Sequence, residues 1–75
     1  MYHVIEFADN AVLDLEVSAK QPLERIRVKR GDRVKAQIRP YVAETGEGFV
    51  EMADLFFADG TATRGVPWSA IFFVE

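Results

Sequence analysis

An all-β fold is what this sequence predicts, on three observations. Val, Ile, Phe, Tyr, Trp and Thr make up a third of the 75 residues while Leu occurs only four times, a balance that suits a pleated, half-buried surface. Apolar and polar residues alternate with period two over several short runs. Asp-Asn, Gly-Asp, Asp-Gly and Pro-containing segments interrupt those runs every several residues, as turns between strands do.

Residues 2–8 read as a first strand with His3, Ile5 and Phe7 on one face, ended by Asp9-Asn10. From Ala11 the alternation puts Ala11, Leu13, Leu15 and Val17 on one side and Val12, Asp14, Glu16 and Ser18 on the other. These two segments are expected to form a hairpin. Pro22 lacks a ladder donor and biases Gln21 away from helix, so 20–22 is a connection. Ile26 and Val28 then alternate with Arg25, Arg27 and Lys29, Arg30-Gly31-Asp32 interrupts, and Val34, Ala36 and Ile38 return against Arg33, Lys35, Gln37 and Arg39 until Pro40. Residues 23–39 are therefore expected to form a second hairpin.

Residues 43–48 are polar and contain Gly46 and Gly48, which predicts a loop. Residues 49–58 fit two periods: Phe49, Met52, Ala53 and Phe56 have helical spacing, and Phe49, Glu51, Ala53, Leu55 and Phe57 have strand spacing. A strand is favoured, with a bulge near Met52-Ala53, because Asp59-Gly60 marks a turn from which 61–66 can pair back. Pro67-Trp68-Ser69 suits a short helical turn, and Ile71-Phe72-Phe73-Val74 is a final strand apolar on both faces. Five or six short antiparallel strands without intervening long helices predict one domain over 1–75, a small SH3-like or Sm-like barrel.

Composition excludes whole classes of chemistry. There is no cysteine and a single histidine, so disulfides, thiolate metal sites and a thiol nucleophile are ruled out, and a Ser-His-Asp apparatus is not expected. A domain of this size buries only about 60% of its unfolded surface, leaving few side chains for a deep site. The longest apolar runs are far shorter than the roughly 20 residues of a membrane helix. The first residues lack the positive stretch and apolar core of a secretory signal, so a cytoplasmic location is expected.

Two groups of residues stand out as places where a partner would bind. Seven of the nine basic residues lie between Arg25 and Arg39 with Asp32 as the only acid, a charge of +6 that leaves −9 for the rest of the chain. Alternation would place Arg25, Arg27, Lys29, Arg33, Lys35 and Arg39 on one outward face of the second hairpin, a nucleic-acid contact if they converge. The plainer expectation is a solvated face paired with Asp14, Glu16, Glu24 or Glu51. The chain also carries more aromatic residues than one small barrel can enclose. Trp68, in the turn, and Ile71, Phe72, Phe73 and Val74, on the strand that follows it near the end of the sequence, are the expected oligomer or peptide interface.

The remaining motifs are weaker. Arg30-Gly31-Asp32 matches an adhesive tripeptide, but a turn that needs Gly31 explains it. Gly46-Glu47-Gly48 lacks the Lys-Ser/Thr of a phosphate loop. Asp54 with Asp59, or Glu44 with Glu47, would be the available acid pairs, and His3 shares a face with Ile5 and Phe7 as a structural histidine does. No catalytic constellation is expected, and no metal or cofactor.

Residues 15–74 resemble the barrel of stringent starvation protein B, a bacterial protease adaptor family with an Sm-like fold. The resemblance rests on Leu15-Glu16-Val17, Pro22, Val28-Lys29-Arg30-Gly31-Asp32, Ile38-Arg39-Pro40, Thr45-Gly46, Val66-Pro67 and Ala70-Ile71. It implies peptide binding at a barrel edge and dimerisation. The 75 residues contain neither that family's amino-terminal helical segment nor its docking tail, so the resemblance bears on the barrel.

Overall fold

The computed structural model describes residues 1–74. Seven strands follow one another along the chain: β1 (His3–Phe7), β2 (Ala11–Glu16), β3 (Glu24–Val28), β4 (Arg33–Thr45), β5 (Gly48–Phe57), β6 (Ala62–Pro67) and β7 (Ile71–Phe73), with one 3₁₀ turn, Trp68–Ala70, before β7. They form one antiparallel sheet in the order β3-β2-β6-β5-β4-β1-β7. The all-β expectation is met, with seven strands where five or six were expected.

The order forces the sheet to curl. β1 and β2 are four strand spacings apart, about 19 Å in a flat sheet, yet only residues 8–10 connect them, a link of at most about 14 Å. β3 and β4 are equally far apart in the order and are joined by residues 29–32. Both links close only if the ends of the sheet bend toward each other, giving a half-barrel whose concave side holds the core. There Ile5, Phe7, Ala36, Ala53, Leu55, Val66 and Ile71 are buried, with Leu13, Val28, Val34, Ile38, Phe57 and Trp68 packed against them.

The expected partners of the early strands are therefore corrected. β1 pairs with β4 and β7, and β2 pairs with β3 and β6, so β1 and β2 are not a hairpin. Nor are β3 and β4; the hairpins are β2-β3, β4-β5 and β5-β6. Period-two alternation says which face a residue occupies, and says nothing about which strand lies beside it.

Pro40 and the loop expected at 43–48 are corrected as well. β4 runs through Pro40, in register with Ala53, to Thr45, which faces Gly48 across a two-residue turn. β1 pairs with β4 only as far as Ala36, so one side of β4 is open from there, and a strand with an open side tolerates proline. Of residues 49–58, ambiguous in sequence, all but Ala58 are strand. The bulge expected near Met52-Ala53 is corrected: the register shifts between Ala53 and Leu55, and the extra residue is on β6, where Arg64 and Gly65 stand against Asp54 alone.

The Arg30-Gly31-Asp32 turn is held from both sides. The Gly31 N–H donates to the Phe7 carbonyl at 2.9 Å, the Phe7 N–H to the Asp32 carbonyl at 3.0 Å, and the Arg30 N–H to Asn10 Oδ1 at 2.9 Å. Gly31 has φ of +91°, a conformation that glycine adopts without a side-chain penalty.

Candidate functional site

β7 is an edge strand. It follows the 3₁₀ turn that packs Trp68 against β5, and it pairs with β1 alone, Ile5 facing Phe73, Glu6 facing Phe72 and Phe7 facing Ile71. The Val74 N–H extends the ladder to the Val4 carbonyl at 2.9 Å. The alternation splits the five residues expected here. Ile71 points into the core and is 6% exposed, a correction to its place in the surface set. Phe72 lies on the convex face beside Glu6 and is 56% exposed; Phe73 lies on the concave face and is 51% exposed.

Phe73 is positioned by two aromatic neighbours. His3 meets it edge-on with ring centres 5.5 Å apart, and Trp68 meets it tilted, also at 5.5 Å. Such pairs hold a ring in one orientation, so an aromatic surface is preset at the edge. His3 thus has the structural place expected of it. What this edge offers a partner is an unpaired row of backbone groups flanked by Phe72, Phe73 and Val74.

The six cations expected on one hairpin face are not gathered there, because β2, β6 and β5 lie between β3 and β4 in the sheet. Arg25 and Arg27 are on β3, the opposite edge; Lys29 follows it; Arg33, Lys35 and Arg39 are on β4. Arg33 Nε donates to Glu6 Oε1 at 3.0 Å, and Arg25 stands 3.9 Å from Asp14 with both side chains mostly exposed. Arg27, Lys29, Lys35 and Arg39 have no carboxylate partner among the described residues.

The acids considered as a pair have separate structural tasks. Asp54, 8% exposed, accepts the Gly65 N–H at 3.0 Å and Arg64 Nη1 at 3.4 Å. Arg64 also donates to Glu16 at 3.0 Å and stands 5.3 Å over the Phe56 ring. The Glu16 hydrogen bond and charge, with a smaller contribution from Asp54, raise the guanidinium above its ordinary range. Asp59 accepts the Thr61 hydroxyl at 2.6 Å and its N–H at 2.9 Å, which holds its carboxyl below the ordinary 3.8. Among the described residues no three His, Asp or Glu side chains are gathered to hold a metal ion, and no helix is long and apolar enough to cross a membrane.

Two features escaped the sequence. β2 and β6 pair only at Leu15–Thr63 and Glu16–Ala62, and then diverge around a hollow of about 400 Å³ whose lining includes Phe7, Leu13, Val66 and Ala70. The β4-β5 hairpin also outruns its neighbours. β1 stops at Ala36 and β6 reaches only Met52, so 41–51 project as a two-stranded ribbon. Its signal was present as Val42 and Glu44 in β4 phase and Phe49 and Glu51 in β5 phase, masked by Pro40 and by the glycines of the turn. Comparisons with protein-family models, with curated proteins and with solved structures found no match to this chain, so the functional reading rests on its geometry.

Proposed function

We propose that the chain is a non-enzymatic, homo-oligomeric interaction module of the cytoplasm that takes a protein strand or peptide along β7. One observation carries the reading: β7 is an open sheet edge with Phe72 and Phe73 each about half exposed on opposite faces. The same reading takes the half-barrel as an SH3-like or Sm-like barrel enlarged by the β2-β3 hairpin. An uncharged, aromatic edge is a liability in a protein that leaves it bare, and strand addition covers its backbone groups and its side chains together. The other edge shows the contrast, since β3 places Arg25 and Arg27 in the way of self-pairing. The resemblance to stringent starvation protein B points the same way, toward edge capture and dimerisation.

Light scattering tests this. The wild-type chain should have a mass at least twice 8.5 kDa, and Phe73→Asp should lower it by placing a charge on the concave side of the edge. A monomer at high concentration overturns the oligomer. The nucleic-acid alternative, through residues 25–39, has lost the convergence of charge that motivated it; retardation of DNA or RNA that weakens steeply with salt would revive it.

A further inference from the structure

The β4-β5 ribbon, residues 41–51, has no use in the β7 reading, and it is not self-sufficient. A lone two-stranded hairpin is marginal in water, yet this one has an open side along β4 beyond Ala36 and another along β5 before Met52. It exposes Phe49 at 76% and Val42 at 60%. Grooves of about 330 and 340 Å³ flank its base against Trp68. Cross-strand register puts Val42 opposite Glu51 and Glu44 opposite Phe49, so one face carries two large apolar groups and two carboxylates in a checkerboard. No Lys or Arg occurs between Arg39 and Arg64.

A strand that completes this ribbon must bring cations to the face of Glu44 and Glu51 and must itself have a free side. Among the described residues one strand does so. β3 pairs only with β2; Arg25 and Arg27 share its convex face, opposite Asp14 and Val12, and Ile26 and Val28 share the other. The cations of β4 do not qualify in the same way, because Arg33 and Lys35 lie in the segment already paired with β1. Two ribbons pairing with each other would set glutamates against glutamates, which disfavours that arrangement.

We infer that the ribbon of one copy receives β3 of a second copy along the open side of β4, with Arg25 and Arg27 on the face of Glu44 and Glu51. The parity of the strands allows this: when the arginines share the Val42/Glu44 face, Ile26 and Val28 fall on the face of Tyr41 and Ala43, one arginine lies opposite Glu44 and the other diagonal to it, and Glu51 stands one strand further on. The contact joins two different surfaces, so it propagates head to tail into a ring or a filament. It stands independently of the β7 edge.

Charge exchange tests it, read by light scattering at about 0.01 M and about 1 M salt, where the screening length falls from about 30 to about 3 Å. The wild-type chain and Phe73→Asp should both have at least doubled mass at low salt that drops at high salt. Glu44→Lys/Glu51→Lys should lose the salt-sensitive step, as should Arg25→Glu/Arg27→Glu. The quadruple variant should recover it. All four positions are exposed, so the variants should keep the wild-type far-ultraviolet spectrum, and the wild-type salt series needs no variant at all. A mass indifferent to salt, or a quadruple variant that fails to recover, overturns the inference. So does Phe73→Asp abolishing all association, which would leave the β7 reading standing alone; the reverse pattern would sink the β7 reading and keep this one.

Discussion

The Asp54 carboxylate accepts the Gly65 N–H at 3.0 Å across the irregularity that separates the two registers of β5 and β6. Between Ala53–Val66 and Leu55–Thr63 one strand has one residue and the other has two, so the ladder leaves a backbone donor over, and Asp54 takes it. Arg64 folds back over the same site, joining Asp54 to Glu16 of β2. The bulge is thus where the β4-β5-β6 part of the sheet is tied to the β2-β3 hairpin.

Removing that carboxylate should be costly. Asp54→Ala leaves a poorly solvated N–H without its acceptor and should lower stability by about 1–3 kcal/mol in urea denaturation. Asp54→Asn keeps an acceptor oxygen and should cost less. Equal losses for the two variants would mean that the Arg64 charge pair, and not the hydrogen bond to Gly65, holds the bulge.

Gly65 itself has φ of +71°. A Cβ there would meet nothing closer than the Tyr41 hydroxyl at 3.8 Å and Met52 Cε at 3.9 Å, so space is not the obstacle. Gly65→Ala should still destabilise by about 1–2 kcal/mol, the cost of a side chain in the left-handed region. The measurement is a denaturant midpoint, and an unchanged midpoint would show that the bulge shifts its backbone freely.

The Asp59–Thr61 contact gives a pH signature. Thr61 holds the carboxyl below 3.8, chiefly through its hydroxyl, so the folded chain binds this proton less readily than the unfolded chain. The stabilisation is fully present above the unfolded value of 3.8 and is lost as pH falls through the lower folded value. Thr61→Val should move the Asp59 titration, followed by NMR, upward toward 3.8; no movement would place the cause elsewhere.

Faces were legible in this sequence and neighbours were not. Ile5, Phe7, Ala36 and Leu55 all occupy the buried side that period two assigns them, and the β5-β6 hairpin followed from Asp59-Gly60. The pairing of β1 with β4 depends on the curl of the whole sheet, which no local pattern encodes. That is why the cations of 25–39 separate to β3 and β4 although their alternation was read correctly. Pro40 misled for a related reason: its effect depends on whether a strand lies beside it, and β1 ends four residues too early to do so.

The clearest test of the β7 edge contrasts two adjacent residues. Ile71 is 6% exposed against Phe7, and Phe72 is 56% exposed beside Glu6. Ile71→Ala removes core volume and should cost about 2–5 kcal/mol in urea denaturation. Phe72→Lys removes only exposed apolar surface and places a cation opposite Glu6, so stability should stay within about 0.5 kcal/mol of wild type. If β7 is the interface proposed for it, Phe72→Lys should nonetheless reduce the mass seen by light scattering, because a lysine there disrupts edge-to-edge association. A chain whose mass ignores Phe72→Lys and Phe73→Asp alike would have a β7 that merely closes its own sheet.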